Sequence, residues 1–354
     1  MALQVKVNAD VGLVQGVTWA TEVACTKSMR VSQLTIADAR EQLGPRDHDI
    51  GNMVSEYKDG ARNVSVNMSS DLTFGGQWIQ LLAGIMGTAT ASPAEVNAGQ
   101  GDYLHNLDID AVSAPKFFSI AYDAETDVTR SVPSFMPTQV TIAGNVNGMG
   151  TVSISGPGNK SLKSSATNTT AVLAALSHTT TYEAGVFNGA NAYFRLDTVA
   201  NAPLTSSDNM PMESWSLTIS KPAQSYFGLR AALSEETYKP EISGLVTVTL
   251  QITLPYLDDS VMDWFTHYDG KTRMMAEIFI DGAIIGAGAN RSLKFQFPRL
   301  KPVTPGGEGI EGPFPKTSMT FQAEVATSAP SGMSGVTNLL RVVSVDPRST
   351  TYIA

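Results

Sequence analysis

A single cysteine, Cys25, in 354 residues excludes an intrachain disulfide, so the fold must be held by its core and its hydrogen bonds. Histidine is nearly as scarce: His48, His105, His178 and His267 stand apart, and no two have metal-ligand spacing. Charged residues make up only 16% of the chain, with a net charge of −9 and no basic stripe interleaved with aromatics. A protein that grips a nucleic-acid backbone needs clustered Lys and Arg to replace counterions. No stretch approaches the roughly 20 apolar residues that span a bilayer. Residues 1–6 lack the basic start and apolar run of a secretory signal. The expectation is a protein made and kept in soluble form in a reducing interior, with no membrane and no cofactor.

Motifs for catalysis are also lacking. Residues 156–161 (Gly-Pro-Gly-Asn-Lys-Ser) end like a phosphate loop but miss its first glycine, and read as a tight turn. Residues 282–288 hold three glycines without a surrounding βαβ unit, and read as a hairpin with closely packed backbone. Asp102, Asp108, Asp110, Asp258 and Asp259 follow no calcium-loop pattern, and Asp259 with Ser260 serves as a helix N-cap. Cys25 has only Lys27 and Arg30 near it in sequence and reads as a buried thiol. The chain is not expected to be an enzyme.

What is present is turn chemistry and alternation. Thirty Gly and eighteen Pro, with many Ser, Thr and Asn, favour strands joined by turns, a mainly β class. A duplication runs through it. Residues 34–36 (Leu-Thr-Ile) recur at 217–219, an offset of 217 − 34 = 183. Residues 63–68 (Asn-Val-Ser-Val-Asn-Met) are echoed at 245–250, where 246 − 64 = 182, and both alternate as strands buried on one face do. Next, Trp78, Leu81, Leu82 and Ile85 make one apolar helix face, and Val261, Trp264, Phe265 and Tyr268 repeat it 183 residues later. Gly87 and Gly270 stand as left-handed caps. Strands follow at 117–122 and 275–280. Others at 139–142 and 150–154 close the first copy, and those at 293–297 and 319–325 the second. Residues 160–181 form a Ser/Thr-rich linker with a short helical turn at 171–176, and 92–114 and 302–315 read as Gly- and Pro-bearing loops.

This order of alternating strand, amphipathic helix ending in Gly, and apolar strand resembles the tail tube family of long-tailed bacteriophages over roughly residues 30–155 and 210–326. Residues 297–301 (Phe-Pro-Arg-Leu-Lys) are similar to the Pro-Arg-x-Lys ending common in that family. The resemblance implies two tandem tail-tube-type β-sandwich/barrel units, each with a short flanking α-helix. The layout is an N-terminal arm (1–30), a first unit (31–160), a linker and entry strand (161–212), a second unit (213–326) and a C-terminal tail (327–354). It also implies a virion structural protein that self-assembles in the host bacterial cytoplasm into stacked rings of a siphovirus-type tail. Double-stranded DNA passes through the lumen without specific binding, and the further partners are a tape measure protein and tail terminator or distal tail proteins. Two units per chain allow a trimeric pseudo-hexamer or a hexameric ring.

Two residue sets follow. Ser65, Asn67, Thr247, Thr249, Gln251 and Thr253, the uncharged faces of the alternating strands, line either the lumen or an outer solvated face. The long excursions at 37–59 and 220–243, with Arg40, Arg46, Asp47, Tyr226 and Arg230, are candidates to reach the neighbouring ring. The alternative is a receptor- or carbohydrate-binding β-sandwich protein of a virion surface, which would carry exposed aromatics on its loops.

Overall fold

The computed structural model describes residues 9–43, 58–110, 112–125, 128–176, 186–187, 191–199, 202–227, 237–255, 264–311 and 314–353. Strands hold 52% of the residues and helices 8%, so the chain is mainly β with a large antiparallel sheet. The longer elements of the first half are β1 (Ala9–Gln15), β2 (Lys27–Val31), β3 (Gln33–Leu43), β4 (Lys58–Asp71), α1 (Gln77–Met86), β5 (Tyr103–Ile109), β6 (Phe118–Glu125), β7 (Val128–Phe135), β8 (Gln139–Asn145), β9 (Thr151–Gly158) and α2 (Thr170–Ala174). The second half adds β10 (Ala192–Thr198), β11 (Ser214–Ser220), β12 (Thr247–Leu254), α3 (Trp264–Asp269), β13 (Met274–Ile284), β14 (Asn290–Glu311), β15 (Phe314–Ala323) and β16 (Arg341–Asp346).

Eight of these strands pair in the order β3-β4-β9-β8-β11-β12-β15-β14, every contact antiparallel. The halves contribute four strands each and meet at β8–β11. Both quartets have the same internal order, first, second, fourth, third. Registers recur as well: Thr35 opposite Asn67 in the first half matches Thr218 opposite Thr249 in the second. These are the offsets of 183 and 182 already visible in the sequence.

The other strands cover the apolar face of this sheet. In the first half they run β2-β1-β6-β7, and in the second β10-β13-β14-β16-β5. β14 serves both layers: up to Leu300 it pairs with β13 and β16, and beyond Leu300, among the described residues, only with β15. In the first half the same path is split, β7 on the covering layer and β8 in the main sheet, with residues 136–138 between them. A bulge is shared too. Phe118 pairs with Phe135 but Ile120 with Val132, and Met274 pairs with Leu300 but Ala276 with Phe297, a slip of one residue at the same point of each hairpin. One continuous apolar core fills the space between the layers. Trp215 of the main sheet meets Phe295 of the cover, ring centroids 5.6 Å apart.

Several expectations need correction. The segment 92–114 is no plain loop: it holds β5, which β16 joins to the second half. Residues 302–315 are largely the β14–β15 hairpin, where slips at Pro302/Thr304 and Thr304/Gly307 absorb residues that a regular interior strand would not accept. The excursion at 37–59 begins and ends as strand, to Leu43 and from Lys58. Residues 156–158 belong to β9 and form no tight turn. Within residues 1–30, β1 and β2 are paired strands, and β1 lies 192 − 9 = 183 residues before β10, so it follows the repeat. Within 327–354, β16 is inserted between β14 and β5, and Tyr352 is buried.

The helices differ in their caps. Gly87 takes φ +93° and closes α1 as expected, but all ten residues of α1 are buried, so the helix is not simply amphipathic. After α3 the left-handed position is taken by Lys271, φ +52°. Lys271 N donates to Tyr268 O and Thr272 N to His267 O, a Schellman closure one residue beyond Gly270. Asp259, Ser260 and Val261 lie outside the described residues. The helical turn in the linker is α2, capped by Thr169 and packed through Leu173 and Leu176 on Cys25 and Ala121.

The crossing of β9 past the end of β7 sets a sharp steric condition. A Cβ on Gly156 would stand 1.9 Å from Met136 O, a backbone atom with little freedom to move. Gly156→Ala should therefore lower stability by about 2 kcal/mol or more. Gly99→Ala, at φ +76° with open space around it, should cost only about 1 kcal/mol of backbone strain. Urea unfolding of both variants checks this, and an equal loss at the two positions would contradict it.

Candidate functional site

The main sheet has one dry face and one wet one. Val66, Met68, Ile142, Ile154, Leu217 and Leu250 are at most 2% exposed, whereas their sequence neighbours on the opposite face are half-buried or exposed. Registers trace rows across that wet face. One crosses all eight strands: Gln33, Ser69, Ser153, Thr141, Thr218, Thr249, Gln322 and Lys301. The adjacent row reads Thr35, Asn67, Ser155, Gln139, Ser220 and Thr247, with no charge at all. On the other side, Asp71, Thr151, Ala143, Ser216, Gln251 and Thr320 carry one charge, at the edge of the row.

Small hydroxyls and amides serve such a surface well. β-branched Thr suits the pleat, and neighbouring side chains satisfy one another: Ser69 Oγ lies 3.0 Å from Ser153 Oγ, Thr141 Oγ1 3.3 Å from Thr218 Oγ1, and Gln251 Nε2 donates to Ser318 Oγ at 3.4 Å. The face is polar, short-chained and, away from its borders, without ionised groups. A polyanion passing over it meets neither attraction nor strong local repulsion.

The sheet ends in two strands paired on one side only among the described residues. β3 pairs with β4, and β14 beyond Leu300 pairs with β15. At the far end of the β3–β4 ribbon, Arg62 forks onto Asp38, with Nε 2.7 Å from Oδ1, and donates to Ser161 O at 2.9 Å. The hydrogen bond from Arg62 is what chiefly holds the Asp38 carboxyl below its ordinary range.

All six uncharged candidates fall on this one face: Ser65 and Asn67 on β4, and Thr247, Thr249, Gln251 and Thr253 on β12. The row through Ser155, Gln139 and Ser220 links the two groups. Reading strand by strand missed the central members Thr141, Ser153, Ser155, Ser216 and Thr218, although each sits in an alternating segment that carried the signal. Of the helix positions, Trp78, Leu81, Leu82 and Ile85 are core. Trp264, Phe265 and Tyr268 lie on α3, and Val261 is outside the described residues. Arg40 is exposed but lies in strand β3 opposite Arg62, and is not a loop residue. Tyr226 is exposed, its carbonyl accepting from Tyr238 N at 2.8 Å. Arg46, Asp47 and Arg230 lie outside the described residues.

Ionisable groups elsewhere act as internal ties. Asp346 accepts from Tyr352 Oη and Ser344 Oγ, both at 2.7 Å, and from Arg348 N at 2.9 Å. His105 Nε2 donates to Arg348 O at 2.8 Å and stands 3.6 Å from Asp346 Oδ1. Ser, His and Asp thus meet, but Ser344 bonds Asp346 and not the imidazole, and all three are fully buried. The cluster fastens β5 to the C-terminal strand. Asp102 accepts from Asn97 N, Asn97 Nδ2 and Ala289 N, while Arg341 forks onto Asp108. Cys25 is buried and free, and burial pushes its thiol up to about 12. Among the described residues no three His, Cys, Asp or Glu gather as metal ligands. Two clefts, one beside Trp78 and one beside Trp215, measure about 190 and 230 Å³, below the roughly 300–1,000 Å³ of a small-molecule site.

No protein-family model matches this sequence, and no curated protein matches it.

The His105 cluster gives a pH prediction. Burial outweighs the pull of Asp346 and lowers the His105 pKa from its usual value of about 6.5. Above about pH 6.5 the imidazole is neutral in both folded and unfolded chains and contributes no pH dependence. Below it the unfolded chain binds the proton first, so stability falls as pH drops toward the lower folded-state pKa. Urea midpoints between pH 7.5 and 5.5 should decline for the wild type and stay flatter for His105→Gln. The depressed Asp38 acts only in the lower window beginning near about pH 4.

Proposed function

We propose that this chain is a tail tube subunit of a long-tailed bacteriophage. In this reading it is a virion structural protein that builds stacked rings around a conduit for the genome. The observation that carries the reading is the eight-stranded sheet. Two quartets of identical strand order are joined edge to edge, with one face buried and the other uncharged away from its borders, and among the described residues a strand edge without a partner remains at each end. Closing several such sheets into a ring would satisfy those edges and enclose the wet face as a lumen. The family resemblance supplies the rest: two tube-type units per chain, rings of three chains with pseudo-sixfold symmetry or of six chains, and a tape measure and tail-end proteins as further partners. Trp78 and Trp215 are core residues, so a glycan-binding rival would have to use the exposed Tyr226 and Phe227.

Negative-stain electron microscopy of the purified protein over a concentration series tests it, with rings or tubes around a central hole as the expected outcome. Monodisperse monomer at every concentration, together with specific glycan binding, would replace this reading with the receptor-binding one. In assembled virions, Thr218→Lys with Thr249→Lys puts two cations per chain on the proposed lumen and should slow genome ejection severalfold at low salt. Ejection at the wild-type rate would place that face outside the conduit.

A further inference from the structure

We infer that the chain contains the template of its own intersubunit seam: β14 of one copy pairs with β3 of the next in the register of the internal β8–β11 junction. This rests on the tube reading above and specifies the partner surface, which is a second copy of this chain.

The register follows from three pairs of corresponding ladders. Thr35–Asn67 corresponds to Thr218–Thr249, so β3 matches β11 and β4 matches β12. Asn67 faces Ser155 where Thr249 faces Gln322, so β9 matches β15. Ser155 faces Gln139 where Gln322 faces Lys301, so β8 matches β14 beyond Leu300. β11 therefore stands beside β8 as β3 of a following copy would stand beside β14. The strand senses agree, because seven successive antiparallel contacts leave β3 and β14 oppositely directed.

At the internal seam Gln139 faces Ser220 and Thr141 faces Thr218. Ser220 corresponds to Ala37, since 220 − 183 = 37, and Gln139 to Lys301, so Lys301 of one copy faces Ala37 of the next. Beyond the slip in β14, Thr304 takes the place of Thr141, because Thr304 faces Thr320 where Thr141 faces Ser153. Thr304 then faces Thr35. Residue types at both positions agree with the internal template although they were not used to derive it. A long polar residue faces a small one at Lys301–Ala37 as at Gln139–Ser220, and threonine faces threonine at Thr304–Thr35 as at Thr141–Thr218. Lys301 and Ala37 are both exposed in the single chain, as an unmade seam requires.

Engineered cysteines read the register directly. Directly opposed strand residues are about 4.5–5.5 Å apart at Cα, within disulfide reach, and a two-residue slip carries them beyond it. The one native thiol, Cys25, is buried and protonated, so the background is low. Assembled Ala37→Cys/Lys301→Cys protein should give covalent oligomers on a non-reducing gel after mild oxidation, and Ala39→Cys/Lys301→Cys should not. Wild-type rings seen by microscopy with no cross-link in the first pair, or with equal cross-linking in the second, would overturn the register and leave the tube reading standing. Wild-type protein that forms no rings and shows no cross-link as the double variant would take both down. If the double variant alone fails to assemble, hydrogen exchange on wild-type rings decides: residues 33–37 and 301–304 should gain protection, and their continued fast exchange would overturn the seam.

Discussion

The hydrogen-bonded junction between β8 and β11 is the contact on which the architecture depends. Seven residue pairs from Gln139–Ser220 to Asn145–Ser214 turn two four-stranded sheets into one. Without that ladder each quartet would expose a further strand edge and the apolar face would be divided. With it, the core beneath runs without interruption from Val11 to Ile353. Backbone pairing here does what a hydrophobic interface does between ordinary domains, but directionally, since a one-residue slip would turn Val140 and Ile142 outward and the hydroxyls inward.

Covering strands reinforce the same junction from behind. β16, from the end of the chain, lies between β14 and β5 and so ties the second half to the first. Arg341 on β16 forks onto Asp108 of β5, and the buried Asp346 gathers Ser344, Tyr352 and the Arg348 amide around His105. Lys221, just past β11, reaches back to Asp110 O at 2.9 Å and Ser113 Oγ at 3.0 Å. Buried polar groups with such fixed partners contribute orientation more than net stability. Here they hold two similar halves in one relative placement.

Much of this was legible in sequence because alternation and offset are robust signals. Residues 34–36, 64–68, 217–219 and 246–250 carry the core strands at nearly constant spacing, and the registers kept that spacing. Trp78 to Ile85 could be recognised as a helix, and Gly87 as its cap. The covering layer was harder to read. β5 sits among Gly, Asn and Asp residues that suggest loops, and its pairing with β16 spans more than 200 residues, which no local pattern records. β14 carries Pro302, Pro305 and three glycines, and reads as a loop unless bulged edge strands are allowed. The wet face was half visible: each strand showed its polar alternates, but only the registers place Thr141 of one half beside Thr218 of the other.

Among the described residues the sheet has two edges without a partner, a hazard for a β-rich chain, and the residues along them limit it. Charges at Asp38, Arg40 and Glu41 extend β3 beyond its apolar stretch, and a neighbouring hydrophobic strand would have to desolvate them. Pro302 and Pro305 remove donors from β14, and its slips twist the edge away from a flat template. Such an edge resists a generic strand and admits one whose own register matches. The strand most closely matched to β14 is the one already patterned on β11, namely β3 of another copy. On the proposed seam, protection against aggregation and selection of the right partner would come from the same residues, and the repeat would let one chain carry both sides of the match.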